Sequence, residues 1–293
     1  MEIVTKELTT NGKPIKVHGI STGNVSVKSK FRETNKKGIL ALLSFLLDRE
    51  FTEWMPIWTW VIEHPEGIFV IDTGENSKVS ERNYFKSSGA FANWFNTTQF
   101  KFDVKREDEL DIQLEKIGIQ IKDIKAVLLT HLHLDHIDGL MFFPNTNVMV
   151  NKLEWEKPYG DLPKLYPEWL NPQLIELNRP FENFTNTSSV TVNNDLIMVM
   201  TPGHTYGHSS ILLKTDQAYL MFAGDVVYSQ SQLLDSKFSG ANVDFKKAQV
   251  SYDSIIEFAK KNKVVFLPSH DGKADERLET ISELKITNRQ QCV

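Results

Sequence analysis

The chain has 293 residues, 41% of them hydrophobic, which allows one large domain or two small ones with a substantial core. The 38 acidic residues outnumber the 33 basic ones, and the net charge of −5 disfavours a constitutive nucleic-acid binder, because phosphate contacts need a basic face. One cysteine, Cys292, excludes an internal disulfide and a cysteine-rich zinc site. Residues 1–6 lack the apolar core of a signal peptide, and no run approaches the length of a membrane span. The expectation is a soluble cytoplasmic protein that takes a small molecule, with neither nucleic acid nor membrane as partner.

The elements in chain order begin with an apolar segment. Residues 38–47 (Gly-Ile-Leu-Ala-Leu-Leu-Ser-Phe-Leu-Leu) are apolar nearly all round, and Trp54, Met55, Trp58 and Trp60 follow closely. Residues 57–62 and 68–71 flank Glu63-His64-Pro65-Glu66-Gly67, a turn signature that predicts a hairpin. Residues 84–102 carry Tyr84, Phe85, Phe91, Trp94, Phe95, Phe100 and Phe102. Such stripes are usually core. Here they also fit a greasy entrance for an apolar substrate tail, or a dimer contact. A helical pattern spans 107–117. A β-type run at 124–129 leads into His131, and another at 196–200 leads into His204. Residues 210–213 and 219–222 form a second predicted hairpin, whose second strand runs into Asp225. Helical spacing of Phe245, Ala248, Tyr252, Ile255, Ile256 and Ala259 predicts a helix over 245–261 with Asp244 as N-cap. A last run at 264–267 leads into His270. Strands dominate both halves with helices between, which suggests two mixed sheets packed together with helices outside, in one domain over 1–293.

The chemistry is concentrated at those strand ends. The run Thr130-His131-Leu132-His133-Leu134-Asp135-His136-Ile137-Asp138-Gly139 puts four potential metal ligands in six positions. Pro202-Gly203-His204-Thr205, Gly224-Asp225 and Pro268-Ser269-His270 add three more. On a turn leaving a strand, the i, i+2 spacing lets His131 and His133 face one ion, with His204 completing that site. Asp135 and His136 would face a second ion with His270. Asp225, having two carboxylate oxygens, would bridge. Nitrogen and oxygen ligands without thiolate suit two Zn2+, with manganese, iron or cobalt also compatible. Two metals so held can make hydroxide at neutral pH and polarise a carbonyl or phosphoryl oxygen. Around this set, His208 is expected to order its loop by hydrogen bonding. Asp72 and Asp138 are expected to be turn residues or to orient the ligating imidazoles. His18 and His64 read as surface or turn histidines, and Asp271 and Gly272 as shaping the loop after His270.

With these motifs the chain resembles the metallo-β-lactamase superfamily over most of its length. The resemblance implies an αββα sandwich with a di-metal site at one edge of the two sheets, and His131, His133, Asp135, His136, His204, Asp225 and His270 match the family's ligand positions. The absence of a cysteine near Asp225 disfavours the commonest zinc β-lactamases, and Leu132 interrupts the tandem histidines of glyoxalase II. The chain is most similar to the N-acyl homoserine lactone lactonases. The residues that carry this are Tyr228 three positions after Asp225, the stretch 60–74, and Pro202-Gly203-His204-Thr205-Tyr206-Gly207-His208. The apolar segment near 35–60 resembles a longer helical insertion of some lactonases. The resemblance implies hydrolysis of the lactone ring, with Tyr228 stabilising the oxyanion and Asp135 carrying the proton to the leaving ring oxygen, and it suggests a homodimer. Two alternatives stand beside it. One is another lactone or ester hydrolase, or a phosphodiesterase, on the same fold; the other is a metal-binding sensor without turnover.

Overall fold

The computed structural model describes residues 3–36 and 38–286. The predicted runs become strands of two sheets. The first sheet contains β1 (Val4–Thr10), β2 (Lys13–Val27), β3 (Met55–His64), β4 (Gly67–Ile71), β5 (Phe100–Asp103), β6 (Ile124–Leu129), β7 (Asn147–Asn151) and β8 (Gln173–Ile175). Its order is β1-β2-β3-β4-β6-β7-β8, with β5 paired to the far end of β2. The second sheet contains β9 (Arg179–Phe181), β10 (Phe184–Ser189), β11 (Leu196–Met200), β12 (Ser209–Lys214), β13 (Tyr219–Gly224) and β14 (Val264–Pro268), in the order β14-β13-β12-β11-β10-β9. Both are mixed: β4, β6, β7 and β8 run parallel in the first, and β13 and β14 in the second.

Strand alternation decides what lies between the sheets. Trp58, Trp60 and Ile62 of β3 and Phe69 and Ile71 of β4 point inward. They meet Met198, Ile211, Leu213, Leu220, Phe222 and Leu267 of the other sheet in one buried cluster. This is the period-2 burial of a sandwich. The outer face of the second sheet is covered by the helix Phe245–Lys261. As predicted, the Asp244 carboxylate caps it by accepting from the Lys246 and Lys247 amides, both at 3.0 Å. Over the first sheet, the expected helix at 107–117 is a 3-10 turn, Arg106–Asp108, followed by the helix Leu110–Lys116. The break falls at Glu109, whose backbone is extended while its side chain accepts from the amide and hydroxyl of Ser77. The layers are therefore helix, sheet, sheet, helix, as expected.

Both hairpins form, with Pro65-Glu66 turning β3 into β4 and residues 215–218 linking β12 to β13. His18, expected at the surface or in a turn, is instead buried within the sheet; His64, expected likewise, does flank the turn, accepting from the Glu66 amide at 3.1 Å, but is buried as well. His18 bridges Thr5 and Glu63 across the sheet, at 2.9 and 3.0 Å, and His64 at the end of β3 reaches Asp195 across the sandwich at 3.2 Å. Burial follows from these partners, which a single sequence does not reveal. Among the described residues no helix is long and apolar enough to cross a membrane. Cys292 lies outside the described residues.

Candidate metal centre

The C-terminal ends of β6, β13 and β14 and the loop after β11 converge on one edge of the sandwich. The parallel register sets Gly224 beside Pro268, so Asp225 and His270 emerge close together. The Ser209 amide donates to the Thr130 carbonyl at 2.9 Å and ties the edge of the second sheet to that of the first. All seven predicted residues arrive there. Three overlapping groups have their ligand atoms within 4.8 Å of one another: His131, His133 and His204; His131, His136 and Asp225; and Asp135, His136 and His270. Asp225 stands between the outer two. Its Oδ2 is 3.5 Å from His204 Nε2, and its Oδ1 is 3.4 Å from both His136 Nε2 and His270 Nε2. Asp135 Oδ2 lies 3.3 Å from His270 Nε2.

Hydrogen bonds behind the rings decide which nitrogen faces the centre. The Thr130 hydroxyl donates to Asp72 Oδ2 at 2.8 Å, so toward His131 Nδ1, at 3.0 Å, it can only accept. That places the His131 proton on Nδ1 and leaves Nε2 free to ligate. His136 Nδ1 donates to Asp72 at 2.8 Å, and His270 Nδ1 to the Pro56 carbonyl at 2.9 Å. Asp72 sits at φ 57°, an uncommon conformation for a non-glycine residue, where it also accepts from the Thr130 amide. Its expected part in orienting imidazoles is what the geometry shows. His208 behaves as expected too: its Nε2 accepts from the Asp225 amide at 3.0 Å and its Nδ1 is held by Thr201. Burial drives its pKa down to about 3, so it stays neutral. Asp138 contacts no ligand directly; it accepts from Asn76 and Tyr84 beneath the motif. Asp271 accepts from the Gln230 and Lys273 amides and pairs with Arg277, fixing the loop after His270.

The donor set fits a divalent metal. Imidazole and carboxylate, without thiolate, is a borderline-to-hard environment. The buried atoms His131 Nε2, His136 Nε2 and Asp225 Oδ1 have no hydrogen-bond partner, a costly arrangement unless something binds them. Burial pushes His131 and His204 well below the ordinary imidazole range, into the neutral form a ligand needs. Burial acts the same way on His136 and His270, but Asp225 outweighs it, and His270 is lifted to about 10.

The sequence reading missed Glu154. It is fully buried in the short helix Lys152–Glu156 and accepts from the Leu132 amide at 3.1 Å, the Thr205 hydroxyl at 2.6 Å and the Gly207 amide at 3.1 Å. A glutamate in a stretch with two neighbouring lysines and another glutamate carries no signal that would have picked it out.

Beside the centre opens a cavity of about 730 Å³, of the size that encloses small ligands. His133, Asp135, Asp225, Tyr228 and His270 form its polar floor. Its walls come from the helices Ile39–Leu46 and Ala90–Gln99 and from β5, through Ile39, Leu42, Phe45, Phe91, Phe95 and Phe100. The apolar segment and the aromatic stretch therefore line one cavity. Met55, Trp58 and Trp60 do not: strand pleating turns them into the interior clusters, and Trp54 is half-exposed elsewhere. Tyr228 is buried, stacks on His270 at 5.3 Å and 20°, and reaches the cavity floor. Burial, then the charges of Asp225 and Asp135, push its pKa well up, so its hydroxyl keeps a proton to donate.

Residues 52–270 match the family model of the Metallo-beta-lactamase superfamily. An N-acyl homoserine lactonase of Bacillus cereus is 26% identical over 231 residues, covering 78% of this chain and 86% of the relative. The N-acyl homoserine lactonase AttM of Rhizobium radiobacter is 25% identical over 232 residues, covering 75% and 83%. Among solved structures, an N-acyl homoserine lactone hydrolase with N-hexanoyl-L-homoserine bound at its catalytic metal centre superposes with TM-score 0.72 at 21% identity, over 92% of this chain and 96% of that one. The dizinc quorum-quenching lactonase AidC gives 0.62 at 18% identity, over 92% and 91%. The chain belongs to the metallo-beta-lactamase superfamily, and its likeness within it is to the N-acyl homoserine lactonases.

Proposed function

We propose that the protein is a dinuclear metal hydrolase that opens the lactone ring of N-acyl homoserine lactones. The observation that carries this is the join of one ligand cluster to one apolar cavity: a polar floor at Asp135, Tyr228 and His270 under walls of Phe45, Phe91 and Phe95. A lactone with an acyl tail has that same division. The lactonase relatives support the reading.

In this reading His131, His133 and His204 would hold one zinc and Asp135, His136 and His270 the other, with Asp225 available to both. Bound there, the ions would supply a hydroxide nucleophile and Lewis acidity at the lactone carbonyl. The chain's own residues do the rest. Tyr228 donates its hydroxyl proton as a hydrogen bond to the oxyanion that develops on the carbonyl oxygen. Asp135, as one of the residues that would hold an ion, would be ionised in the loaded enzyme, because a ligating carboxylate must be deprotonated. Its carboxylate can take the proton from the oxygen newly added to the carbonyl carbon and pass it to the ring oxygen as the C–O bond breaks, leaving a carboxylate and an alcohol. The walls exclude water from the acyl tail, each buried methylene contributing about 0.8 kcal/mol. We take residues 1–293 as one functional unit, with the apolar insertion as part of its binding site.

The test is ring opening of a long-chain N-acyl homoserine lactone by purified protein, before and after chelation and zinc restoration. Turnover lost on chelation and regained with zinc is expected. A zinc-loaded protein that leaves the lactone intact but cleaves simple esters or phosphodiesters would overturn the substrate assignment.

A further inference from the structure

His133 is fastened differently from the other imidazoles of the centre. Its Nε2 lies 3.0 Å from the Tyr159 carbonyl, an acceptor only, so Nε2 carries the proton, and the unprotonated Nδ1 faces the centre, 2.9 Å from His204 Nε2. His131, His136 and His270 present Nε2 instead. The next residue, Gly160, has φ +76°, and a Cβ there would stand 2.7 Å from His133 Nε2. Backbone and ring are packed too closely for any side chain.

The same short segment grips the centre at further points. Glu154 holds the Leu132 amide, the Thr205 hydroxyl and the Gly207 amide. Asn151 donates to the Gly207 carbonyl at 2.7 Å. Lys157 Nζ sits 3.8 Å over the Tyr206 ring, and the Tyr159 ring meets Tyr206 edge-on at 6.2 Å. Every one of these contacts falls on Leu132 or residues 205–207, the immediate neighbours of His131, His133 and His204. The other group is held from elsewhere, by Asp72 behind His136 and the Pro56 carbonyl behind His270, and Asp72 also reaches His131 through Thr130.

We propose that residues 151–161 form a clamp that sets the affinity of one metal only, the one facing His131, His133 and His204, with the Tyr159 carbonyl and Gly160 as positioning elements for His133. This rests on the dinuclear reading above. Partners that orient a ligating histidine typically alter metal affinity by about 10- to 100-fold. Because these contacts of residues 151–161 fall on Leu132, His133 and residues 205–207 and none on Asp135, His136 or His270, the effect falls on one ion and spares the other.

The experiment is zinc retention by the zinc-loaded full chain against graded chelator, read as equivalents per chain. Gly160→Ala, His270→Ala and the double variant are compared with the wild type. The expected result is two equivalents for the wild type and one for each single variant at the same chelator concentration. None is expected for the double variant, because the two changes strike different ions. Glu154→Gln, which loosens the clamp at its other anchor, should also retain one. Nitrogen-15 spectra of zinc-loaded wild type should show His133 protonated at Nε2, with that pattern lost in Gly160→Ala. A Gly160→Ala protein that keeps both equivalents at wild-type affinity overturns the clamp while leaving the dinuclear reading intact, as does a double variant that still retains one. A wild type that never holds two equivalents brings down the dinuclear reading, and the clamp with it.

Discussion

Asp225, Tyr228 and His270 are each at most 4% exposed, whereas Ile39, Leu42 and Phe91, which line the same cavity, are 70%, 42% and 72% exposed. The floor is a fixed set of polar atoms, in which a backbone carbonyl holds His133 and another holds His270. The wall is an open apolar surface built from two short helices and β5. Its packing is aromatic and non-directional: Phe45 meets Phe95 edge-on at 6.1 Å, and Phe31 meets Phe45 at 5.3 Å. Chemistry at the floor depends on ångström-level placement. Binding at the wall depends on area removed from water. Variants in the two regions should therefore fail differently.

The largest contrast is at Tyr228. Replacing it with phenylalanine keeps the stack on His270 and removes only the donor. If the hydroxyl stabilises the oxyanion, kcat for ring opening should fall by about 10²- to 10³-fold with KM little changed, the range for loss of one such donor. Zinc content should be unaltered. Full activity in Tyr228→Phe would make the residue a packing element and move it from the floor to the wall.

Glu154 gives the next effect, seen in stability. Burial raises its pKa to about 7, against an ordinary 4.5, despite hydrogen bonds from Thr205, Leu132 and Gly207 that oppose the rise. The folded metal-free protein thus keeps this proton up to about pH 7, while the unfolded chain releases it near 4.5. Folding takes up a proton between those values. The contribution is fully present below pH 4.5, declines as pH rises toward 7, and is level above that. Across the window the loss is on the order of 3 kcal/mol. Denaturant titrations of metal-free protein from pH 4.5 to 8 should show this slope, and Glu154→Gln should remove it. A slope unchanged by the substitution would mean that other buried carboxyls, such as Glu75, carry the pH dependence. Glu75 is likewise pushed up, by burial and then by Asp138.

The two regions also differed in how far the sequence disclosed them. The floor was legible because metal ligation demands particular residue types, and these follow β-type runs at 124–129, 219–223 and 264–267. His131 and Asp225 could be placed together without knowing the sheet order. Their partners were less legible. Asp72 was recognisable as a carboxylate near a strand end, but Glu154, the Tyr159 carbonyl and the Pro56 carbonyl act through contacts far along the chain, and a backbone carbonyl has no residue signature. The wall was visible only as an excess of apolar residues. Nothing in the pattern separated Phe45 and Phe95, which line the cavity, from Trp58 and Trp60, which fill the interior. That choice is made by the pleat of β3 and the pairing of β5 with β2.

The smallest effect is the one that defines the wall. Phe95 touches Phe45, Phe91 and Phe100 and faces the cavity from the helix Ala90–Gln99. Phe95→Ala removes apolar surface that a long acyl chain would cover, while a short chain would end before reaching it. The expected loss for a long-chain lactone is about 1–2 kcal/mol, or roughly 5- to 30-fold in kcat/KM, carried by KM. A four-carbon substrate should change by much less, and zinc content should not change. Because the wall acts by area alone, Phe95→Leu should recover most of the loss, whereas no conservative change should rescue a floor residue. Equal losses for short and long chains would show instead that Phe95 braces the floor, and would erase the division between the two regions at this point.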